Sequence, residues 1–344
     1  MANSFNPNLT TVLNGNIFGL PHTQEDAKVI ILPVPWDATA SYRDGTANNT
    51  QNIIKASTQI DLMTFSTPEI LDEGIAIQAP DSKWVEKNKS TRKKAKDVID
   101  ALERGDDLKT NNKILKSIEE VNQSSEELNE WVYSTTKELI NSDKLVVLLG
   151  GDHSSSYGYI KALSEIEEFA ILQIDAHMDL RVSYQGFKHS HASIMTNALK
   201  LKQVSRLVQV GTRDYSDSEY EVEQASKGRI KTFYDQDIKA HKFMGKSWQA
   251  YVKKIINALP DNVYISCDID GLNPSLCPNT GTPVPGGLEF DELLYLFDNL
   301  IGSNRKIIGC DLVEVGTSPT LWDENVASRI LFQLACYLLE SHLN

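Results

Sequence analysis

Residues 170–179 read AILQIDAHMD, so a largely apolar run leads directly into two carboxylates and an imidazole. A continuous apolar run is typical of a parallel strand that is buried on both faces of its sheet. Asp175, His177 and Asp179 occupy alternate positions after this run, so their side chains point the same way in an extended chain. The segment therefore predicts a buried strand with a polar cluster at its carboxyl end, where ligands bind in parallel sheets.

Five further apolar runs occur along the chain, at 29–34, 145–149, 207–210, 263–266 and 307–312. Helices are predicted between and after them, at 93–102, 113–140, 155–166, 192–201, 248–259, 290–301 and 325–343. Strands that alternate with helices are typical of an α/β fold with helices on both faces of a parallel sheet. No Pro/Gly/Ser-rich linker divides the chain, so we expect a single domain over residues 1–344.

The composition narrows the class of partner. The 344 residues include 34 Lys and Arg and 47 Asp and Glu, which gives a formal charge of −13. This acidic balance argues against a nucleic acid or an anionic membrane as partner and suits a small cationic ligand better. The first residues, Met1 to Pro7, have neither a basic nor an apolar region, and no window approaches a membrane span, so a cytoplasmic protein is expected.

The segment from about 82 to 130 is unusually charged, since a group of cations is followed by a group of acids. They are Lys87, Lys89, Arg92, Lys93, Lys94 and Lys96, then Glu119, Glu120, Glu126, Glu127 and Glu130. The pattern predicts a helical insertion of two charged surface helices. A solvated face or a subunit contact is the favoured interpretation, and a gate over the active site is the alternative.

Three predicted strand ends contain most of the unusual polar residues. The sequences are GGDH at 150–153, DAHMD at 175–179 and DID at 268–270. Together they offer His153, Asp175, His177, Asp179, Asp268 and Asp270. Closely packed carboxylates repel one another unless cations neutralise them, and oxygen donors with two imidazoles suit Mn²⁺ better than a metal that prefers thiolates. Two divalent ions would balance the four carboxylates, which predicts metal-assisted hydrolysis.

These motifs resemble those of the ureohydrolase family, which includes arginase and agmatinase. The family pattern is matched by GGDH at 150–153, DAHMD at 175–179, SCDID at 266–270 and GTPVPGG at 281–287. The resemblance extends from about residue 27 to the C-terminus and is weakest at 82–130. It implies a three-layer α/β/α sandwich with a central, mostly parallel sheet, two Mn²⁺ ions per chain and a homo-oligomer, either trimer or hexamer. Ni²⁺ or Co²⁺ could occupy a similar site.

The resemblance also implies a role for each candidate ligand. It assigns the six residues to two metal sites that share bridging carboxylates: His153 and Asp179 to one site, His177 and Asp270 to the other, and Asp175 and Asp268 to both. Asp179 is further implied to hold the nucleophilic hydroxide by a hydrogen bond.

Glu314 matches the family carboxylate that receives the guanidinium group, and a planar cation with paired N–H donors is best held by a carboxylate. His191 matches the loop histidine that transfers protons to the departing amine, for which an imidazole is well suited. His189 is the less favoured candidate and is interpreted as an exposed loop residue.

The sequence DLRVSYQG at 179–186 resembles the agmatinase branch, because arginases have Asn at the position of Arg181. Arg181 could bind a substrate carboxylate or pair with a neighbouring acid, and both interpretations stay open. Thr282, in the glycine-rich loop, is a further candidate for contact with the substrate.

The resemblance implies a binuclear-metal hydrolase that converts agmatine to putrescine and urea. Departures from the family pattern at 45–50, at Asn273 and at 315–317 leave other substrates open: free guanidine, a guanidino acid or arginine. A deacetylase with a single zinc is a rival enzyme, although its usual ligand set lacks two of the residues present here. A catalytically silent scaffold or regulatory subunit is the alternative from another class.

Overall fold

The computed structural model describes residues 11–62, 70–107 and 111–343, so the prediction made for Met1 to Pro7 lies outside it. Within these residues, eight parallel strands form one sheet. They are β1 (Val29–Val34), β2 (Ile75–Ile77), β3 (Leu145–Gly150), β4 (Phe169–Ile174), β5 (Val204–Val210), β6 (Ile230–Phe233), β7 (Asn262–Asp268) and β8 (Lys306–Val313). Their order across the sheet is β2-β1-β3-β8-β7-β4-β5-β6.

The six predicted strands are present with nearly the predicted bounds, and the prediction missed β2 and β6. Both missed strands lie at the edges of the sheet and have only 3 and 4 residues. Such short segments give no apolar run that the sequence pattern could reveal.

Helices connect the strands. The α-helices of the described residues are α1 (Thr50–Ser57), α2 (Ile70–Glu73), α3 (Ser82–Glu103), α4 (Asn112–Asn141), α5 (Tyr157–Ser164), α6 (Ile194–Ala198), α7 (Asp217–Ala225), α8 (Asp235–Phe243), α9 (Trp248–Asn257), α10 (Phe290–Ile301) and α11 (Trp322–Leu343). Short 3₁₀ turns follow the strands at His153–Ser156, His191–Ser193 and Ile269–Gly271. None of the helices in the described part combines the length and the hydrophobicity that crossing a membrane requires.

The sheet separates two hydrophobic layers, because alternate residues of each strand face opposite sides. Val147 and Leu149 of β3 pack with α1, α9, α10 and α11, whereas Val146 and Leu148 pack with α4, α5 and α6. The predicted three-layer α/β/α sandwich is therefore confirmed, and its sheet is parallel throughout the described residues.

Helix α3 begins at Ser82, well before the predicted start at 93. The side chain of Asp81 accepts a hydrogen bond from the Lys83 amide and so caps its first turn. The buried face of the helix includes Asn88 and Thr91 as well as Trp84. Polar residues on the buried face conceal the apolar periodicity, which explains the late predicted start.

The central four strands, β3, β8, β7 and β4, lie side by side, and the polar motifs follow their carboxyl ends. The chain packs tightly where β3 ends, since a Cβ atom on Gly151 would lie 1.8 Å from the carbonyl oxygen of Trp36. Only glycine fits there. The sheet order therefore places GGDH, DAHMD and DID at one edge, with the loop after β1 packed against them.

Candidate metal and active site

Side chains from the ends of β3, β4 and β7 converge in two compact groups that share one carboxylate. In the first group, His153 Nδ1 lies 3.0 Å from Asp179 Oδ2 and 3.1 Å from Asp175 Oδ2. In the second, His177 Nδ1 lies 3.0 Å from Asp270 Oδ2 and 3.4 Å from Asp175 Oδ1. Each group brings three potential ligand atoms within 4.8 Å of one another, and Asp175 belongs to both.

Asp268 belongs to neither of these two groups. Its Oδ2 atom lies 3.5 Å from His153 Nδ1, and its Oδ1 atom accepts a hydrogen bond from the backbone amide of Asp270. Asp268 is therefore beside the first group, at a longer distance than the carboxylates of Asp175 and Asp179.

A hydrogen bond behind His153 fixes the orientation of its ring. Ser266 Oγ lies 2.8 Å from His153 Nε2 and donates its own proton to the Asp311 carboxylate, 3.0 Å away. The hydroxyl has one proton, so it accepts the Nε2–H of the imidazole. Nδ1 points at the carboxylates of Asp175 and Asp179, and these acids raise the pKa of His153 well above its usual value although burial opposes the charged form. Metal-bound histidines are oriented in this way, and a divalent ion bound here would replace the Nδ1 proton.

The acids at the strand ends differ in their pKa shifts. Burial and the charge of Asp175 raise the pKa of Asp179 to about 7. Burial, together with the charges of Asp270 and Asp175, raises the pKa of Asp268 well above its usual range. Asp175 is also buried, but His153 and His177 lower its pKa well below the usual range. The two imidazoles therefore compensate part of the negative charge, and a divalent cation would compensate the carboxylates whose pKa values stay raised.

The donor set fits divalent metal ions, because it joins carboxylate oxygens to imidazole nitrogens and contains no thiolate. The nearby Cys267 and Cys277 are buried, and burial raises the pKa of each thiol well above its usual range. The two groups are therefore candidate metal sites, and the donor types do not specify which divalent ion they prefer.

Glu314 follows β8 and lies beside the first group. Its Oε1 atom accepts a hydrogen bond from the backbone amide of His153 at 3.0 Å. A Cβ atom on Gly281 would lie only 3.0 Å from Oε2, so the glycine leaves room beside this carboxylate. Burial and the neighbouring Asp152 raise the pKa of Glu314 well above its usual range.

Two of these acids have a left-handed backbone conformation. The φ angle is 55° at Asp179 and 61° at Glu314. Residues other than glycine adopt this conformation at a cost of roughly 1–2 kcal/mol. The chain turns at both positions, five residues after the end of β4 and directly after the end of β8, and both carboxylates lie at the cluster.

His191 lies at the start of a 3₁₀ turn and faces a cavity of about 370 Å³. Its Nε2 atom is 3.2 Å from Ser41 Oγ. Burial, followed by the nearby imidazoles of His177 and His153, lowers the pKa of His191 to about 3. The imidazole is therefore neutral at pH 7.

The cavity reaches part of the cluster. Its lining combines predicted site residues with residues from three loops: Ser41, Tyr42, His177, Asp179, Arg181, Tyr184, His191, Ala192, Asp214, Tyr215, Ser216, Glu219, Thr282, Pro283 and Val284. His153, Asp175, Asp268, Asp270 and Glu314 do not line it. All five are buried.

The structure places the remaining candidates as follows. Arg181 Nε lies 3.6 Å from Glu219 Oε2, and the Arg181 guanidinium stacks on the ring of Tyr184 at 4.9 Å. Thr282 lines the cavity, with Oγ1 at 3.5 Å from Asp270 Oδ2. His189 packs on the ring of Tyr157 instead of lying exposed in the loop. Arg181 thus has an acid partner within the protein.

The cavity walls formed after β1 and β5 were not among the predicted site residues. Ser41 and Tyr42 follow β1, and Asp214, Tyr215 and Glu219 follow β5. The signal was present, since both strands were predicted and polar residues follow each of them. Applying the rule about carboxyl ends to every strand of the sheet would have found these walls.

Comparison with known proteins gives a family match over nearly the whole chain. The model of the Arginase family matches residues 27–340. The chain is 28% identical over 318 residues to the N(1)-aminopropylagmatine ureohydrolase of Thermus thermophilus, covering 92% of each protein. It is 30% identical over 315 residues to the agmatinase of Pyrococcus horikoshii, covering 90% of this chain and 91% of that one.

A solved structure with the same fold is that of the agmatine ureohydrolase of Thermoplasma volcanium. Its TM-score is 0.69, with 23% sequence identity and coverage of 94% of this chain and 93% of that one. At this identity the similarity shows the fold alone, and it agrees with the three-layer architecture described above.

Proposed function

The chain belongs to the arginase family and is a ureohydrolase with agmatinase-like relatives, and we propose that it hydrolyses a cationic guanidino compound to urea and an amine at a binuclear metal centre. In this reaction, the oxygen of water forms a bond to the guanidinium carbon, the bond from that carbon to the substituted nitrogen breaks, and the departing amine takes up a proton.

The observation that carries the proposal is the His153 imidazole, whose Nδ1 atom points at the carboxylates of Asp175 and Asp179 at 3.1 and 3.0 Å and forms with them a compact group of three donor atoms within 4.8 Å of one another. A metal ion at this position would be held by His153, Asp175 and Asp179, and a second by Asp175, His177 and Asp270. Asp268, beside His153, would complete the set. Two Mn²⁺ ions are the first choice, with Ni²⁺ or Co²⁺ as alternatives. Divalent ions in such a site supply Lewis acidity and lower the pKa of water toward neutrality.

The remaining roles belong to side chains of the protein. Glu314 offers a buried carboxylate whose Oε2 atom can accept N–H donors of a guanidinium, and burial strengthens that charge-assisted pairing. His191, neutral and at the cavity wall, is placed to accept a proton at Nε2 and to return it to the departing amine. Asp179 lines the cavity beside the cluster and is placed to hold the attacking water by a hydrogen bond.

Agmatine is the first candidate substrate, and its aminopropyl derivative is the second, because relatives named for both compounds match about nine-tenths of the chain. The cavity wall also contains the exposed acid Asp214, which favours a cationic ligand. Arg181 is paired with Glu219, which weakens its case as a receptor for a substrate carboxylate. Free guanidine, guanidino acids and arginine are the compounds to exclude. We further propose that the chain forms a homotrimer or hexamer, as the resemblance to the family implies. Light scattering would measure the mass of the assembly.

The test is urea release by the protein loaded with Mn²⁺, and in parallel with Ni²⁺, from agmatine, aminopropylagmatine, arginine, guanidinobutyrate and free guanidine. We expect the kcat/KM for agmatine or its aminopropyl derivative to exceed the others by about 100-fold or more, which corresponds to roughly 2.7 kcal/mol. Absence of urea from every compound, with two metal ions bound per chain, would refute the proposed reaction and favour a silent scaffold or regulatory subunit.

A further inference from the structure

The charged helices α3 and α4 form a hairpin in which one cation differs from the others. Lys87 and Lys94 of α3 pair with Glu127 and Glu120 of α4 at 3.1 and 2.8 Å, on the outside of the hairpin. Arg92 instead turns inward, with 15% of its side chain exposed. Its contacts are with the loop that follows β1.

Arg92 forms hydrogen bonds with this loop, residues 37–45. Its guanidinium donates to the carbonyl oxygens of Ala38 and Ala40, and its Nε atom donates to Asp44 Oδ2 at 3.2 Å. One turn earlier on α3, the buried Asn88 exchanges two hydrogen bonds with Asp37, at 2.7 and 3.0 Å. Helix α3 therefore holds both the beginning and the middle of the loop.

The loop in turn contacts His191 at two points. Ser41 Oγ lies 3.2 Å from Nε2 of the imidazole. Thr39 Oγ1 accepts the backbone amide of His191 at 3.4 Å and donates to Asp152 Oδ2 at 2.9 Å. The orientation of the His191 ring thus depends on where the loop lies.

Helix α4 acts on the other side of the same histidine. The side chain of Asn122 donates to the carbonyl oxygen of Gly186 at 3.1 Å and accepts the amide of Lys188 at 2.7 Å. These residues belong to the segment that leads into His191. The two helices therefore hold the two segments that meet at this imidazole.

We propose that the α3–α4 hairpin is a brace that positions His191 for the reaction: Arg92 fixes the loop that brings Ser41 to the imidazole, and Asn122 fixes the segment that leads into the histidine. Arg92, Asn122 and Ser41 are positioning residues, since they act through His191. The effect on turnover rests on the function proposed above, whereas the effect on the two segments does not.

The first test is a double-mutant cycle with Arg92→Met and Ser41→Ala, in which Lys94→Met is the matched control on the outside of the hairpin. We expect each of the two single changes to lower kcat by about 10-fold, since misplacing a catalytic group by 1 Å can cost 100-fold. The KM and the metal content should stay within about 2-fold of wild type. In the Ser41→Ala background, Arg92→Met should cost clearly less than the loss of about 10-fold that it causes alone, because only the Thr39 contact with His191 is left for Arg92 to support.

If the loss of kcat in the double variant equals the product of the two single losses, the proposal is overturned. A Ser41→Ala variant with the kcat of the wild type would also overturn it. Arg92→Lys, which keeps a donor, should recover part of the kcat that Arg92→Met loses. It also replaces Arg92→Met in the cycle if that variant does not fold.

The second test does not need turnover. Amide hydrogen exchange should become faster in residues 37–45 of Arg92→Met and in residues 184–191 of Asn122→Ala, and should be unchanged in Lys94→Met. If the exchange rates of both segments in the variants equal those of the wild type, the proposed brace is refuted, even if the variants lose activity. A wild-type protein that releases no urea would refute the proposed reaction, while the exchange experiment would still decide on the brace.

Discussion

The strand ends and the α3–α4 hairpin are both dense in charge, yet they treat it in opposite ways. On the hairpin, each described Lys–Glu pair is exposed to water and compensated by its partner, as in Lys94 with Glu120 at 2.8 Å. At the strand ends, four carboxylates face only two imidazoles, and all of these side chains except the partly exposed His177 are buried. Charge density alone therefore does not indicate a site. A buried excess of carboxylates does.

The largest difference between the two regions is expected from a substitution of Asp268 at the strand ends. The change Asp268→Asn removes an anionic oxygen next to His153 without changing side-chain size. We expect loss of at least one metal ion per chain and a fall in urea production of at least about 10³-fold, because Lewis-acid stabilisation is worth several kcal/mol. Metal analysis and urea assays would measure both. Glu127→Gln on the hairpin is the control, and equal activities in the two variants would contradict the assignment.

Glu314→Gln separates substrate binding from metal binding. Both metal ions should stay bound, because Glu314 belongs to neither compact group. The loss of a buried charged partner for the guanidinium should lower kcat/KM by a factor that corresponds to a lost binding free energy of about 2–5 kcal/mol. Urea kinetics with metal analysis on the same sample measure the effect. Loss of metal together with activity would show that Glu314 is a ligand instead.

Metal removal should also lower thermal stability. Ions that bind only the folded state stabilise it by about 2.7 kcal/mol at 100 times their Kd, and here they also relieve repulsion among buried carboxylates. Calorimetry with and without a chelator should therefore show a clear fall in Tm for the wild type and little change for Asp268→Asn. The same fall in both proteins would mean that the chelator acts elsewhere.

The smallest effect is expected on the hairpin surface. Lys94→Ala removes an exposed ion pair, and such pairs contribute about 0.2–1 kcal/mol. Urea denaturation should show a loss within that range that diminishes at high salt. A loss of several kcal/mol, or a fall in urea release, would place this pair among the groups that support the active site.

Much of this architecture was readable because buried parallel strands give continuous apolar runs. The bounds of β1 matched the run at 29–34, and the ligand-type residues lay at the ends of β3, β4 and β7 or within five residues after them. Once the strands were placed side by side, the proximity of His153 to Asp175 followed from the polarity of a parallel sheet.

The remainder depended on contacts between residues distant in sequence. No local pattern links Arg181 to Glu219, so the sequence left two interpretations of that arginine open. The burial of Arg92 could not be predicted either, because it stands in a run of cations whose other members face outward or pair with α4. Its partners include backbone carbonyl oxygens of a distant loop, and every residue has a carbonyl group, so no residue type in the sequence points to this contact.

Asp179 and Glu314 have consequences for how such a protein changes over generations. Both residues hold a left-handed backbone that glycine adopts without strain, and both bury a carboxylate. The Glu314 carboxylate accepts the buried backbone amide of His153, whereas the Asp179 carboxylate faces the His153 ring and the cavity. Selection for stability alone would therefore favour replacement of Asp179 more than of Glu314, whose loss leaves a buried N–H unpaired. In a gene copy released from selection for the chemistry, Asp179 would be the first of the two acids to drift, and the resulting protein would fold while being inert.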